Sequence, residues 1–415
     1  MAGVSAYGFL VLSARVLGKA EYAPLSVLWA AVFLAGPGFF LPLEQEVSRA
    51  LAARRALGLG TGPVLRRAAM LGGALAGVLV TATIIASPKL VDGLFHGEWL
   101  LLVGLLLGMA GYCVGHLARG SFSGLGRFRP YAVYIGGEGA IRFAICVALA
   151  VVGVKHAGAY GLALGLAPLL AVAVSLRGQR DIVSDGPDAP WSELSSALGA
   201  LLAGSVLAMA LVNGPVLLMR HYATSAQDES ISRFLAGLVI ARVPLFLFQA
   251  VQAALLPRLS ALASAGLFEE FQAGFRKLVV VVAGIGAVGV ATAFAIGPFV
   301  VKTMFGADFD LGRRTLTMLA TGSVLFMLAQ AMAQAVIALG GHGRQALCWL
   351  VSVIVFFVVA AMGHDLFFRI ELGMVAGSTT AVIGMAALVL FQVRSGAAVH
   401  TEDLIEALHD LQLEP

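Results

Sequence analysis

Residues 234–257 read FLAGLVIARVPLFLFQAVQAALLP, and this stretch decides the class of fold. It is long enough to cross a hydrocarbon core, which takes about 20 apolar residues. Arg242 is its only charge. An arginine at mid-span costs about 2.5–3.5 kcal/mol on insertion scales, so it belongs where it faces a bundle interior or a wet cavity. Gln249 lies seven residues on and shares the Arg242 face of a helix, and Gln252 follows three further. Pro244 lacks an N–H and crowds the preceding turn, so a kink is expected beside the arginine. A kinked apolar helix with one polar stripe suggests the wall of a passage.

The rest of the chain is of the same kind. Its 415 residues are 60% hydrophobic and 12% charged, with mean hydropathy +0.93. Soluble domains are about 25% charged. Twelve candidate spans follow: 2–14, 24–42, 69–87, 99–117, 131–152, 157–176, 197–219, 233–256, 278–301, 315–339, 346–362 and 372–393. The expected fold is therefore an all-α, multi-pass membrane protein of about 12 transmembrane helices. The first span is short: either the chain is truncated at its start, or the first helix extends toward Arg15 and leans on its neighbours. The chain is apolar almost from Met1, with no basic lead and no small-residue cleavage site, so a signal peptide is not expected. With the N-terminus inside, 15 Lys and Arg fall in inner loops and tail, ten in outer loops, and Arg142 and Arg242 within spans. That bias places both termini in the cytoplasm. Trp99 and Trp191 sit at span edges, as interfacial anchors do.

Two halves are expected. Arg66-Arg67 before span three match Arg276-Lys277 before span nine, at an offset of 210. At the same offset Pro88 pairs with Pro298, Leu94-Phe95 with Met304-Phe305, and Glu98 with Asp308. Leu41-Pro42 and Leu256-Pro257 close spans two and eight, and Gly124-Leu125-Gly126-Arg127 and Gly341-His342-Gly343-Arg344 open spans five and eleven, at offsets of 215 and 217. Ordered landmarks at near-constant offset mean a repeat. Six spans per copy is an even number, so the repeat is parallel. The expected organisation is an N-terminal six-helix bundle over 1–177, a cytoplasmic linker over 178–196, a C-terminal six-helix bundle over 197–394, and a cytoplasmic amphipathic acidic tail over 395–415. The linker is the longest polar stretch and carries Gly186, Pro187 and Pro190. Glu44 to Leu57 reads either as a helix on the inner surface, with Val47 and Leu51 on one side and Arg54 and Arg55 available for lipid phosphates, or as a solvated helix packed on the bundle, and the acidic tail offers the same two readings.

Several functions are disfavoured. The net charge of +4 lies in short loops, so no nucleic-acid partner is expected. Cys113, Cys146 and Cys348 fall inside apolar spans, without disulfide or metal spacing. No HExxH, P-loop or paired metal-binding aspartates occur, and Gly124-x-Gly126 does not continue as GxGxxG. Neither an enzyme nor a cofactor is expected.

The informative residues are polar ones inside spans. Tyr131, Tyr134, Glu138 and Arg142 form one helical stripe in span five. Glu138 and Arg142 are spaced to pair at i,i+4, which is also what a self-satisfied structural pair would look like. Span eight carries Arg242, Gln249 and Gln252, and span ten Gln330 and Gln334, which would equally serve to bond helices together. Span seven holds Asn213, followed by Gly214-Pro215, where a break in the helix is expected. An arginine fork suits a phosphate bidentately. Arg242 could instead pair with Glu138 across the two halves.

Ala14-Arg15-Val16-Leu17-Gly18-Lys19-Ala20-Glu21-Tyr22, directly after the first span, resembles the ARxLGxxxYG stretch of bacterial polysaccharide flippases of the Wzx type. Arg127-Phe128-Arg129, Leu255-Leu256-Pro257-Arg258-Leu259, Phe305-Gly306-Ala307-Asp308-Phe309 and Ala338-Leu339-Gly340 are similar to the same family in order. The family belongs to the superfamily of multidrug extruders, oligosaccharidyl-lipid and polysaccharide exporters. The resemblance implies two six-helix bundles around a central cavity, working by alternating access. Its substrate would be a polyprenyl-pyrophosphate-linked glycan, flipped from the inner to the outer leaflet of a bacterial plasma membrane. Arg142 and Arg242 would hold the pyrophosphate, with Asn213, Gln249, Gln252, Gln330, Gln334 and Tyr134 lining the path and Glu138 as the coupling group. Membrane lipids, and a glycan polymerase or glycosyltransferases, are the implied partners. The alternatives are a multidrug or cation extruder of the same superfamily, which would want an anionic cavity, and a non-transporting scaffold of envelope synthesis.

Overall fold

The computed structural model describes residues 2–179, 182–194, 198–222, 228–245, 248, 262 and 267–411, without the side chains of 2, 192, 228, 229 and 396–411. The described residues are helical apart from connecting turns. The helices are α1 (Ala2–Ala56), α2 (Gly62–Ile85), α3 (Ser87–Leu94), α4 (Trp99–Gly124), α5 (Phe128–Val152), α6 (Ala157–Ser175), α7 (Leu198–Tyr222), α8 (Asp228–Ala241), α9 (Phe268–Phe305), α10 (Arg313–Ala338), α11 (His342–Ala361) and α12 (Leu366–Leu411), with a 3₁₀ turn at Trp191–Glu193.

α1 is two helices joined by a reversal. Gly18 has φ 72° and ψ 177°, a conformation essentially confined to glycine. Phe9 and Trp29 then stack with ring centroids 5.8 Å apart. In a continuous helix those residues would be separated by about 30 Å. α1 therefore carries the first two spans, and the first runs on past Arg15. Nine of the other ten expected spans also fall on helices. Span eight follows α8 to Ala241 and is interrupted at Arg242, two residues before Pro244. The carboxyl-terminal tail is helical in backbone to Leu411, while the side chains that would make it amphipathic lie outside the described residues.

The fold comprises two compact units. One comprises Met1–Val239, Pro298–Gly312 and Asp365–Phe367; the other Ile240–Gly297, Arg313–His364 and Phe368–Pro415. In the first unit, α4 and α6 approach most closely at Gly104, Gly161 and Gly165. A Cβ on Gly104 would lie 2.5 Å from the Gly161 carbonyl oxygen, and one on Gly165 would lie 2.3 Å from that of Gly104. Small residues let membrane helices pack backbone to backbone where no hydrophobic drive separates protein from lipid. α7 packs along α1, tied by Ser205 Oγ donating to the Pro37 carbonyl at 3.1 Å. It passes through Gly214-Pro215 without the expected break. Leu211 and Val216 on either side are buried to within 1%, so packing holds the helix where one backbone bond is lost.

Segment 182–194 is strapped onto the first unit. Arg54 is 3% exposed. Its Nε and Nη2 donate to the two Glu193 carboxylate oxygens at 2.8 and 3.0 Å. Nη1 donates to the Gly60 and Pro187 carbonyls at 2.8 and 3.0 Å, and Nη2 to that of Asp188 at 3.2 Å. Thr61 Oγ1 donates to the Ile182 carbonyl at 2.6 Å. Arg54 is thus unavailable to lipid phosphates, contrary to the amphipathic reading of 44–57. A carboxylate with matching fork geometry outcompetes a lipid headgroup for a guanidinium already losing its water. Val47 and Leu51 are fully buried, as the expected apolar side.

In the second unit, Phe248, Val282, Val324, Met327 and Ala331 form a core with Leu245 and Leu278 at its edge. Phe326 of α10 and Trp349 of α11 pack with centroids 5.5 Å apart.

Candidate functional site

The span-five stripe turns inward in the first unit. Arg142 is 3% exposed and donates Nη1 to Glu138 Oε1 at 3.0 Å. The same oxygen accepts from Tyr112 Oη of α4 at 2.9 Å. The Arg142 guanidinium lies over Trp29 at 5.1 Å and Phe9 at 6.0 Å. Both rings belong to α1, and Trp29 continues into Phe33 at 4.4 Å. A cation over an aromatic face gains more when desolvated, which suits an arginine placed away from water.

A second polar group lies beside the first. Glu44 of α1 is 6% exposed. Its Oε2 lies 2.6 Å from His116 Nδ1, and its Oε1 3.1 Å from Arg119 Nη2. Arg119 lies over Tyr131 at 5.6 Å and Tyr134 at 6.0 Å. Tyr112 and His116 bring the two groups together, with ring centroids 6.0 Å apart. Helices α1, α4 and α5 thus enclose two carboxylates, two guanidiniums, an imidazole and three phenols. Four of their polar atoms are buried without a protein partner: His116 Nε2, Arg119 Nε, Tyr134 Oη and Arg142 Nε. Each such orphan costs about 1–3 kcal/mol, and a cluster of them is not what stability alone would retain.

Sequence reasoning missed Glu44, His116 and Arg119. Tyr112, His116 and Arg119 are spaced i, i+4, i+7 on α4, the same stripe signal that marked α5. The expected span four ends at residue 117, which puts Arg119 in a loop, while α4 runs to Gly124. The expected surface helix begins at Glu44, whereas α1 continues unbroken across that position.

The remaining candidates are dispersed. Asn213 is buried in α7, and its Nδ2 donates to the Met209 carbonyl in its own helix at 3.2 Å. Arg242, Gln330 and Gln334 belong to the second unit. Arg242 is half-buried at the interruption before Pro244, Gln334 is 8% exposed on α10, and Gln330 is half-buried one turn earlier. Gln249 and Gln252 lie outside the described residues.

The chain is similar to solved structures of multidrug-resistance transporters. It aligns with the inward-facing conformation of a MATE family transporter of the MOP superfamily at a TM-score of 0.72, 14% identity, and 97% and 96% coverage of the two chains. The outward-facing conformation of such a transporter gives 0.67 at 14% identity, with 97% and 94% coverage. The Vibrio cholerae MATE transporter VcmN in its bent form gives 0.66 at 13%, with 95% and 94%. The chain therefore has the MATE fold, with its two repeated helical bundles. No family model matches it. Among curated proteins it is 28% identical to the uncharacterized protein Rv1510 of Mycobacterium tuberculosis, over 92% of this chain and 88% of the relative. It is 25% identical to Rv3630 of the same species, over 83% and 79%.

Proposed function

We propose that this chain is a flippase that moves a polyprenyl-pyrophosphate-linked oligosaccharide from the inner to the outer leaflet of a bacterial plasma membrane by alternating access. The observation that carries the reading is Arg142, buried at the middle of a membrane helix with Nε unpartnered and an aromatic floor beneath it. A guanidinium already held on one side by Glu138 has a spare N–H edge for a phosphate oxygen. Arg142 and Arg242 contact the pyrophosphate, and Glu138 couples transport to an ion by exchanging Arg142 for it. Asn213, Gln249, Gln252, Gln330, Gln334 and Tyr134 line the path of the glycan. Membrane lipids hold the polyprenyl tail, and glycan polymerases or glycosyltransferases are the partners such a substrate requires. The motif resemblance supports the same reading.

The multidrug alternative draws on the fold likeness. It predicts that a cationic drug finds a surplus of carboxylates, whereas Glu44 and Glu138 are each already matched by an arginine. The test is glycolipid sidedness in cells depleted of this protein. Intact spheroplasts are labelled from outside, and the polyprenyl-linked glycans are extracted and weighed by mass spectrometry. One glycolipid should accumulate and stay inaccessible, and Arg142→Ala or Arg242→Ala should fail to restore export. If every such lipid remains accessible and none accumulates, the flippase reading falls and drug efflux becomes the reaction to measure.

A further inference from the structure

The repeat is built into the structure at one pair of helix ends. The α3 sequence 87–95 and the α9 sequence 297–305 correspond at an offset of 210 through their prolines and phenylalanines. Val91 and Val301 are both fully buried, and Phe95 and Phe305 are 0% and 1% exposed. Each helix then exits through a left-handed residue, His96 at φ 55° and Gly306 at φ 114°, again 210 apart. The same local fold is therefore made twice. Each copy ends in backbone carbonyls with no helical partner and in the negative end of a helix dipole.

One arginine serves each end, and the two are exchanged. Arg220, in the last turn of α7, donates Nε to the Gly93 carbonyl of α3 at 2.9 Å. Arg15, just before the Gly18 reversal, donates Nε to the Met304 carbonyl of α9 at 2.6 Å and Nη2 to that of Thr303. Gly93 and Thr303 are equivalent at the same offset. Both arginines close the first helix of their half. The first-half arginine caps the second-half helix, and the second-half arginine caps the first. All of these segments belong to the first unit. Beside Arg15 a recess of about 380 Å³ is lined by Ala14, Gly18, Lys19, Phe305, Asp308 and Phe309. Tyr22 packs edge-on against Phe309 at 6.2 Å.

We propose that Arg15 and Arg220 are a reciprocal pair of latches that hold this end of the first unit shut, the end expected to face outward, and that both release when it opens. The need to open rests on the transport function proposed above; the latch itself does not. Guanidinium-to-carbonyl bonds near solvent are suited to the role, because water can replace them once they part. Each contributes about a two- to fivefold bias toward the capped state, which is small enough to be reversed in every cycle.

The test reads accessibility without any substrate. Ala14→Cys, fully buried beside Arg15, and Val91→Cys, fully buried in α3, report on the two latches. Each is placed in a background with Cys113, Cys146 and Cys348 replaced by serine, and labelled with a membrane-impermeant maleimide. The reciprocal pairings decide the matter. Arg220→Ala should speed labelling of Ala14→Cys two- to fivefold, and Arg15→Ala should do the same at Val91→Cys. Arg15→Lys and Arg220→Lys, which keep the charge but not the fork, should fall between. If each substitution alters only the cysteine beside it, the two arginines are independent helix caps and the latch is refuted. Arg15→Gln and Arg220→Gln are scored alongside, so that a folding defect in an alanine variant does not remove the test. A coupled labelling response in a protein that flips no glycan would leave the latch standing and overturn only the proposed function.

Discussion

Replacing Arg54 with alanine should release the strap formed by 182–194 while leaving the membrane helices in place. Arg54 makes five hydrogen bonds, two of them to Glu193, and is 3% exposed. Breaking a fully buried ion pair costs about 3–5 kcal/mol, mostly because the surviving charge is stranded. Here the survivor is Glu193, 29% exposed, which rehydrates, so the cost falls to about 2–3 kcal/mol. That raises the population of the released strap by roughly 30- to 150-fold. The assay is limited proteolysis of the purified protein in detergent, at a protease level low enough for cutting within 182–194 to track the open population. Arg54→Lys should fall between, because it keeps the charge but loses the fork. Acid should mimic the alanine variant. Hydrogen bonding from Arg54 holds the Glu193 carboxyl below the usual carboxylate range, against the opposing effect of burial. A lowered folded value means the stabilisation is complete above the unfolded value, about 4.3, and fades as pH falls through the folded one. Wild-type strap cutting by an acid-active protease should therefore rise below about pH 4, and Arg54→Ala should flatten that rise. Wild-type cutting rates in Arg54→Ala would refute the argument.

Three further outcomes are expected. Arg142→Leu and Glu138→Leu should each cost about 3–5 kcal/mol by stranding a buried charge, while the double variant recovers more than half of the sum; additive losses in a thermal-stability cycle would show that the pair is not coupled. Gly104→Leu should cost more than the about 1–3 kcal/mol of ordinary overpacking, since a Cβ there already meets the Gly161 carbonyl at 2.5 Å, and a monodisperse protein of unchanged melting temperature would contradict the close approach. Gly18→Ala meets no neighbouring atom within 4 Å, so its expected loss of about 1–3 kcal/mol is pure backbone strain; an unaltered melting temperature would mean that the turn can relax.

The spans were readable because insertion depends on summed apolarity over a window, a property each segment carries alone. The α5 stripe was readable for the same reason: Tyr134, Glu138 and Arg142 repeat within one helix. What escaped was the part of the site made by convergence. Glu44 stands on α1, His116 and Arg119 on α4, and no periodicity within one helix brings a carboxylate to an imidazole on another. The fate of Arg54 was hidden in a different way. A basic residue at the end of an amphipathic stretch looks the same whether it meets a lipid phosphate or Glu193, which is 139 residues away. The α7 break failed for want of context. Gly214-Pro215 weakens an isolated helix, but dense burial on both sides compensates for the missing bond.

The reversal at Gly18 bears on how this chain is made. The arm that precedes Gly18 does not stand alone in the fold. Folded back on the arm that follows, with Phe9 against Trp29, it can enter the bilayer as one half of a hairpin, and the translocation machinery would receive two spans as a single unit. The moment of commitment to the membrane then falls after the second arm has emerged rather than the first. Substitutions at Phe9 or Trp29 should accordingly be felt during biogenesis, as lost yield in the membrane, before any transport cycle begins.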